Sequence, residues 1–286
     1  MLLRVISFAA VALATLVAPA GGEESKAPAA SEVFDITVGG SLMSDYIYRG
    51  ISLSARRPAV ASSIDVQRGW FYVSGEARSV SLPTNPAAEL ALTGGIRRTL
   101  VDIEFDLAAT YFYYPGETLT ETDRATDYWQ ADISASRRFA DRFTVVGHAS
   151  YSPNVSHTGA WGSYLAGEFR IDLPKLTLAQ SNELGWLLAA ELGHADFGNT
   201  TLGDYALPSY THWRLGLTFS YDALSLDLSY HDTSLSKENC FVHTGDPAAA
   251  PGGIVSLSNP DGLRSRLCGQ ALVGTLSFEF TASKAK

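Results

Sequence analysis

Past residue 20 the chain has no apolar run approaching the roughly 18 residues that a membrane-crossing helix needs. It has two cysteines, Cys240 and Cys268, with no Cys-x-x-Cys pair and no Cys/His cluster of zinc-ligand spacing. No metal and no cofactor is therefore expected. Positive charge is scarce too: 21 Lys and Arg stand against 30 Asp and Glu, a net charge of −9. Phosphate binding needs basic surface, so a nucleic-acid partner is not expected. Helical periodicity is missing throughout.

What is present begins with a targeting pattern. Residues 1–20 hold one basic residue, Arg4, then an apolar run ending in Ala18-Pro19-Ala20. This predicts a signal peptide cleaved near Ala20–Gly21. Losing it would take the net charge from −9 to −10, since Arg4 is its only charge. Residues 21–31 read as a flexible leader, 32–280 as one folded domain and 281–286 as a short polar C-terminal tail. In the oxidising compartment that a signal peptide implies, Cys240 and Cys268 are most simply one disulfide.

The dominant pattern has a period of two. In "VDIEFDLAATYFYY", Val101, Ile103, Phe105, Leu107, Ala109, Tyr111 and Tyr113 share one face, and Asp102, Glu104, Asp106 and Thr110 the other. Segments of this kind fall near 33–48, 58–67, 70–80, 87–97, 100–114, 127–139, 142–152, 160–172, 184–195, 209–220, 223–233 and 270–280. At ~3.4 Å per residue and a tilt near 40°, ten residues climb about 26 Å, the height of an outer-membrane apolar band. The connections alternate long and short, apart from a medium one at 173–183. The fold class expected is all-β: a closed transmembrane antiparallel barrel of about 12 strands, with short periplasmic turns and longer extracellular loops. Aromatic residues near segment ends, among them Tyr46, Tyr48, Trp70, Phe71, Tyr72, Tyr111, Tyr113, Trp129, Phe139, Phe143, Tyr151, Trp161, Trp213 and Tyr221, suggest two interfacial girdles. The alternative is the core of a soluble all-β domain, which has no reason to sort its loops by length.

Parity assigns the lumen. It turns inward Asp35, Asp65, Glu76, Asp102, Glu104, Asp106, Asp132, Glu168, Asp172, Glu191, Asp227 and Glu279, against Arg78, Arg170 and Arg214. Asp45 and Arg49 would line the mouth, too far apart along one strand to pair with each other. Such a pore would prefer cations. Equally, the acids could satisfy Arg, Tyr and Ser neighbours in a plugged lumen.

The segment "SDYIYRGISLS", followed by Arg57-Pro58-Ala59, resembles the N-terminal signature of the TorF-type porins of Proteobacteria. Ser44, Asp45, Tyr46, Tyr48, Arg49, Gly50, Ser52 and Pro58 carry the resemblance; "TDYWQ" and "HASYSPNVS" are weaker echoes. It would cover nearly the whole mature chain and implies an outer-membrane barrel with porin activity. A long loop holding both cysteines and the tail after Phe280 depart from the pattern.

His148-Ala149-Ser150 has the His-x-Ser form that outer-membrane lipid A deacylases use. A nucleophilic hydroxyl needs a base and an orienting acid, and no acid stands at an obvious position. His212 and His231 lack a third metal ligand in the sequence. The function expected is a porin-like channel of the bacterial outer membrane, not an enzyme. It would sit among outer-membrane lipids and pass small hydrophilic solutes or cations. The alternatives are a deacylase-like lipid-modifying enzyme and a closed structural or adhesive barrel acting through its loops.

Overall fold

A computed structural model describes residues 34–118, 125–177, 183–201 and 203–284. The expected signal peptide and leader lie outside these residues. The strands are β1 (Phe34–Met43), β2 (Ile47–Tyr48), β3 (Ile51–Ser52), β4 (Ala59–Arg68), β5 (Phe71–Arg78), β6 (Glu89–Leu100), β7 (Ile103–Tyr113), β8 (Tyr128–Phe139), β9 (Phe143–Ser152), β10 (Gly162–Thr177), β11 (Glu183–Phe197), β12 (Tyr210–Tyr221), β13 (Leu224–Thr233) and β14 (Ala271–Lys284). An α-helix, α1 (Lys237–Thr244), precedes β14, and a short 3-10 turn spans Val155–His157.

Twelve strands, β1 and β4 to β14, form a closed antiparallel barrel. Closure comes from β1 pairing with β14, Phe34 opposite Lys284 through Met43 opposite Thr275. A closed ladder leaves no edge and satisfies every strand amide internally, which hydrocarbon demands. The outer wall is apolar: Leu42, Val60, Val73, Leu92, Leu107, Ile133, Leu165, Leu192, Leu215, Leu228 and Leu276 all point out exposed. A patch of this extent on every side is a lipid-facing surface. Trp70, Phe71, Phe139, Phe143 and Tyr221 ring the short-turn end; Tyr111, Tyr113, Trp129, Tyr151, Trp161 and Trp213 ring the other. Among the described residues, no helix is long and apolar enough to cross a membrane.

Several expected boundaries move. The turn expected at 98–99 lies at Val101-Asp102, both at positive φ (50° and 61°), the mirror-image turn that matches strand twist. That places Asp102 in the turn, outside the lumen column to which parity assigned it. The connection expected at 173–183 is mostly strand: β10 runs on to Thr177 through a register shift between Leu173 and Leu176, where Pro174 cannot donate to the ladder. The long–short alternation then has no exception, though 178–182 lies outside the described residues. The polar segment after Phe280 does not leave as a tail at once, because β14 continues to Lys284.

The largest departure is at the start. The first strand was expected to reach residue 48, but β1 stops at Met43. The chain then folds inward as the β2–β3 hairpin, turning at Arg49 (φ 46°) and Gly50 (φ 82°). Tyr46 and Tyr48, expected as exposed girdle residues, are 3 % and 4 % exposed, inside the barrel. Tyr72, also expected in a girdle, is buried on the lumen side.

Candidate functional site

The lumen has two layers. At the long-loop end sits a dry plug built from the hairpin residues Tyr46, Tyr48, Ile51 and Leu53, the strand-end aromatics Phe112, Tyr128 and Tyr210, and Val242 of α1. The α1 segment is tied in by the Cys240–Cys268 disulfide, with an S–S distance of 2.05 Å, as the sequence predicted. Both cysteines belong to the plug core. Ser236 caps α1, its Oγ accepting from Asn239 N–H, and Gly245 in the left-handed region ends it. His243 is fully buried on α1 and donates from Nε2 to the Pro208 carbonyl at 2.7 Å. Burial pushes its imidazole down to about 4, although the Pro208 carbonyl acts in the opposite sense.

Glu89 lies at the centre of the plug with no exposure. It accepts from Arg78 Nη1 at 2.9 Å, from the Tyr46 hydroxyl at 3.0 Å and from the Tyr114 hydroxyl at 3.1 Å. Arg78 also contacts Glu76. A buried carboxylate is tolerable only when so paired. Sequence reading missed Glu89, although it shares the inward parity of Ala91 and Thr93 and stands opposite Arg78 in register. Glu89 is the first residue of β6, where alternation has no preceding strand residue to support it.

Asp45 and Arg49, expected at the mouth, belong to the plug. Asp45 accepts from the Ser52 and Ser54 hydroxyls at 2.6 and 2.9 Å and pairs with Arg56 at 3.4 Å. Arg49 crosses the lumen at the hairpin tip. Its Nη2 donates to Ser150 Oγ at 2.5 Å, and its guanidinium lies 4.0 Å from the Tyr164 ring centroid and 4.6 Å from that of Tyr48.

Below the plug a cavity of about 590 Å³ runs to the short-turn end, where Asp222 and Ala223 border it. Its wall carries Glu168 paired with Arg170 at 2.5 Å, and Arg214 paired with Asp227 at 2.7 Å. Arg214 folds down over Gly216, where an added Cβ would lie 2.7 Å from Nη2. Thr218 donates to Asp227 at 2.8 Å. Glu191 accepts from the Tyr164 hydroxyl at 3.4 Å, and that hydroxyl is 2.8 Å from His212 Nε2.

The expected column of three carboxylates on one strand does not form. Asp102 is in the turn. Glu104 sits exposed at the short-turn rim. Asp106 pairs with Arg97 at 3.0 Å and accepts from Tyr72 at 2.8 Å. Arg97 is absent from the expected lumen set because alternation alone ends that segment at residue 97, whereas β6 runs on to Leu100. With Arg49 and Arg97 added, the lumen is less acidic than parity suggested.

The acid that sequence reading could not find for His148 is present: Asp132, 3.3 Å from Nε2. It is a diagonal neighbour on β8, visible only once Ser134 is known to face His148. Ser150, however, is bonded to Arg49 rather than to His148. Among the described residues, no group of three His, Cys, Asp or Glu could hold a metal ion.

Three solved structures illustrate the likenesses found. LpxR from Salmonella typhimurium is 8% identical, with 86% of this chain and 99% of that one covered at a TM-score of 0.39. The NanC porin is 12% identical, with 85% and 98% covered at a TM-score of 0.45. The COG4313 outer membrane channel from Pseudomonas putida F1 is 11% identical, with 92% and 99% covered at a TM-score of 0.33. Likeness at this level carries no argument about activity. No curated protein matches the sequence. Residues 26–253 match the family described as "Bacterial protein of unknown function (Gcw_chp)", and the chain belongs to that family.

Proposed function

We propose that this chain is an outer-membrane porin of the TorF type, stoppered at its outer mouth, that passes small hydrophilic solutes and favours cations. Its short turns face the periplasm and its long loops the exterior. No bond is made or broken. One observation carries the reading. A polar cavity spans the inner part of the lumen, and its outer end is closed by the hairpin packed with α1 and strand-end side chains, not by strand pairing of the barrel ladder. That hairpin meets the surrounding loops through few backbone bonds, among them Ser52 N–H to Leu267 O and Ser81 N–H to Leu53 O. Arg49 is its cross-lumen bolt. Moving the hairpin and the α1 segment aside would join the cavity to the exterior without breaking a strand pair of the barrel.

The cation preference rests on acids left over after pairing. Asp65 and Glu279 have no ion-pair partner among the described residues. Their potential would act in a narrow, low-dielectric-walled path.

Planar-bilayer recording tests both parts. The wild-type protein should conduct in rare openings. Arg49→Ala, which removes the bolt, should raise the open fraction severalfold. If neither protein conducts, the channel is rejected.

A further inference from the structure

We propose that the outer wall of β4 to β8 holds an acidic phospholipid, its phosphate on an arc formed by Arg68, Arg98 and Arg137 and one acyl chain in a cleft above them. The site goes beyond the channel reading and needs no conduction. The orientation given above places it in the periplasmic leaflet.

The arc is set by parity and by strand ends. Arg68 closes β4, Arg98 stands two residues before the end of β6, and Arg137 two residues before the end of β8. Each is exposed and shares the outward parity of Ile64, Leu92 or Ile133 on its own strand. All three therefore lie within about 7 Å of the short-turn rim along their strands, on alternate strands about 10 Å apart across the sheet. Among the described residues, no other outward position on β4 to β8 is charged. Arg97, Arg138, Arg170 and Arg214 each pair with an acid, and Lys175 pairs with Glu183 at 2.7 Å. Arg68, Arg98 and Arg137 have no acid partner among the described residues. They rest on aromatic rings instead: Arg98 lies 3.8 Å from the Trp70 centroid, Arg68 5.1 Å from that of Phe34 and Arg137 5.1 Å from that of Phe139. A guanidinium held over a ring keeps its edge donors for a phosphate, which it can meet bidentately.

The cleft is an observation independent of charge. A depression of about 580 Å³ lies on the outward face of β4 to β7, with the small residues Ser62, Gly75 and Ala77 between the larger Ile64, Leu92 and Tyr111. Its lower edge, where Ile64 stands opposite Gly75, is four residues above Arg68, about 14 Å along β4. One leaflet of hydrocarbon is about 15 Å deep. A chain running up from a headgroup at Arg68 therefore ends in the cleft. The headgroup class follows from the charges. An ethanolamine headgroup brings an ammonium, and no outward acid on these strands can receive it. A phosphoglycerol headgroup carries net negative charge and leaves no ammonium without a partner. A second copy of the chain fits this face poorly, because a two-fold contact here would set arginine against arginine.

The test is native mass spectrometry of the whole purified protein in a non-ionic detergent, with phosphatidylglycerol and phosphatidylethanolamine of the same acyl chains added in equal amounts. Phosphatidylglycerol should be retained about tenfold over phosphatidylethanolamine. The preference should shrink as the ammonium acetate concentration is raised, because salt screens the contact. The triple variant Arg68→Gln, Arg98→Gln, Arg137→Gln should lose the preference; Lys175→Gln, at the same end, should keep it. Gly75→Leu should lower retention severalfold. A Cβ there meets only Ile64 Cγ2, at 3.7 Å, an ordinary contact that lets the barrel form. Equal retention of the two lipids by the wild type, an undiminished preference in the triple variant, or unchanged retention by Gly75→Leu would each overturn the site. So would lipid A displacing the phosphatidylglycerol, which would assign this rim to the outer leaflet, or lipid-free dimers in place of lipid adducts. The wild-type comparison stands even if a variant fails to fold. Conduction without the lipid preference would sink this site alone; the preference without conduction would sink the channel and keep this site.

Discussion

At the residue scale, the plug depends on positions where shape leaves no slack. Gly50 adopts φ 82°, and a Cβ there would fall 2.3 Å from Thr233 Cγ2 and 2.9 Å from His212 Cβ. Gly50→Ala meets both a backbone penalty and a clash, together about 1–3 kcal/mol. That cost falls on the hairpin, so the variant should keep its barrel and open more often in bilayer recording. His243 sets a pH dependence. Its imidazole titrates near 4 in place, against about 6.5 when exposed. Between these values the unfolded segment binds more protons than the folded one, so stability falls as pH falls. The local plug should be fully stable above about pH 6.5 and lose on the order of 3 kcal/mol by pH 4. Hydrogen exchange of α1 amides across this range checks it. His243→Gln, which can still donate to Pro208, should flatten the dependence.

At the element scale, the disulfide loop and the hairpin hold each other. Leu267 O accepts from Ser52 N–H, while Arg266 O and Gly269 O accept from Arg56 Nη2 at 3.0 and 2.7 Å. The Thr233 hydroxyl donates to Cys268 O at 2.6 Å. Closing a segment of 28 residues restricts its unfolded ensemble by about 3–4 kcal/mol in the chain-entropy account. That stabilisation belongs to the plug, since the barrel is held by its own ladder. Reduction should therefore raise protease cleavage between 234 and 270 and increase the open fraction. The heat-dependent gel mobility of the barrel should not change. A reduced protein with unaltered loop cleavage would count against the coupling.

At the scale of the whole molecule, selectivity should follow the acids without arginine partners and not the strand column that alternation suggests. Asp65→Asn combined with Glu279→Gln should move the reversal potential in a salt gradient toward zero. Asp102→Asn should leave it where it was, because that residue is in a turn. The wild-type preference should shrink at 1 M salt, where the screening length is ~3 Å. Orientation is open to test on intact cells: a thiol label should reach cysteines placed in 246–262 and fail to reach one at Gly69 or Asp222.

The sequence by itself determined the barrel, its strand number, its inside and outside faces and its disulfide. Period-two alternation, loop lengths and cysteine count are local properties, and each survives whatever the neighbours do. Asp132, Glu168, Arg170, Glu191, Arg214 and Asp227 could be assigned inward on that basis alone. Tertiary structure decided where alternation stops meaning barrel. Tyr46 and Tyr48 keep the same period as β1, yet the chain has already turned inward, because Arg49 and Gly50 accept positive φ and the opposite wall offers Ser150 and Tyr164. Nothing local distinguishes a strand that continues outward from a hairpin that folds into the lumen. Pairings across strands, such as His148 with Asp132 and Arg97 with Asp106, also needed the register. A register slip of two residues moves every partner yet keeps each side chain on its face, so period two is blind to it.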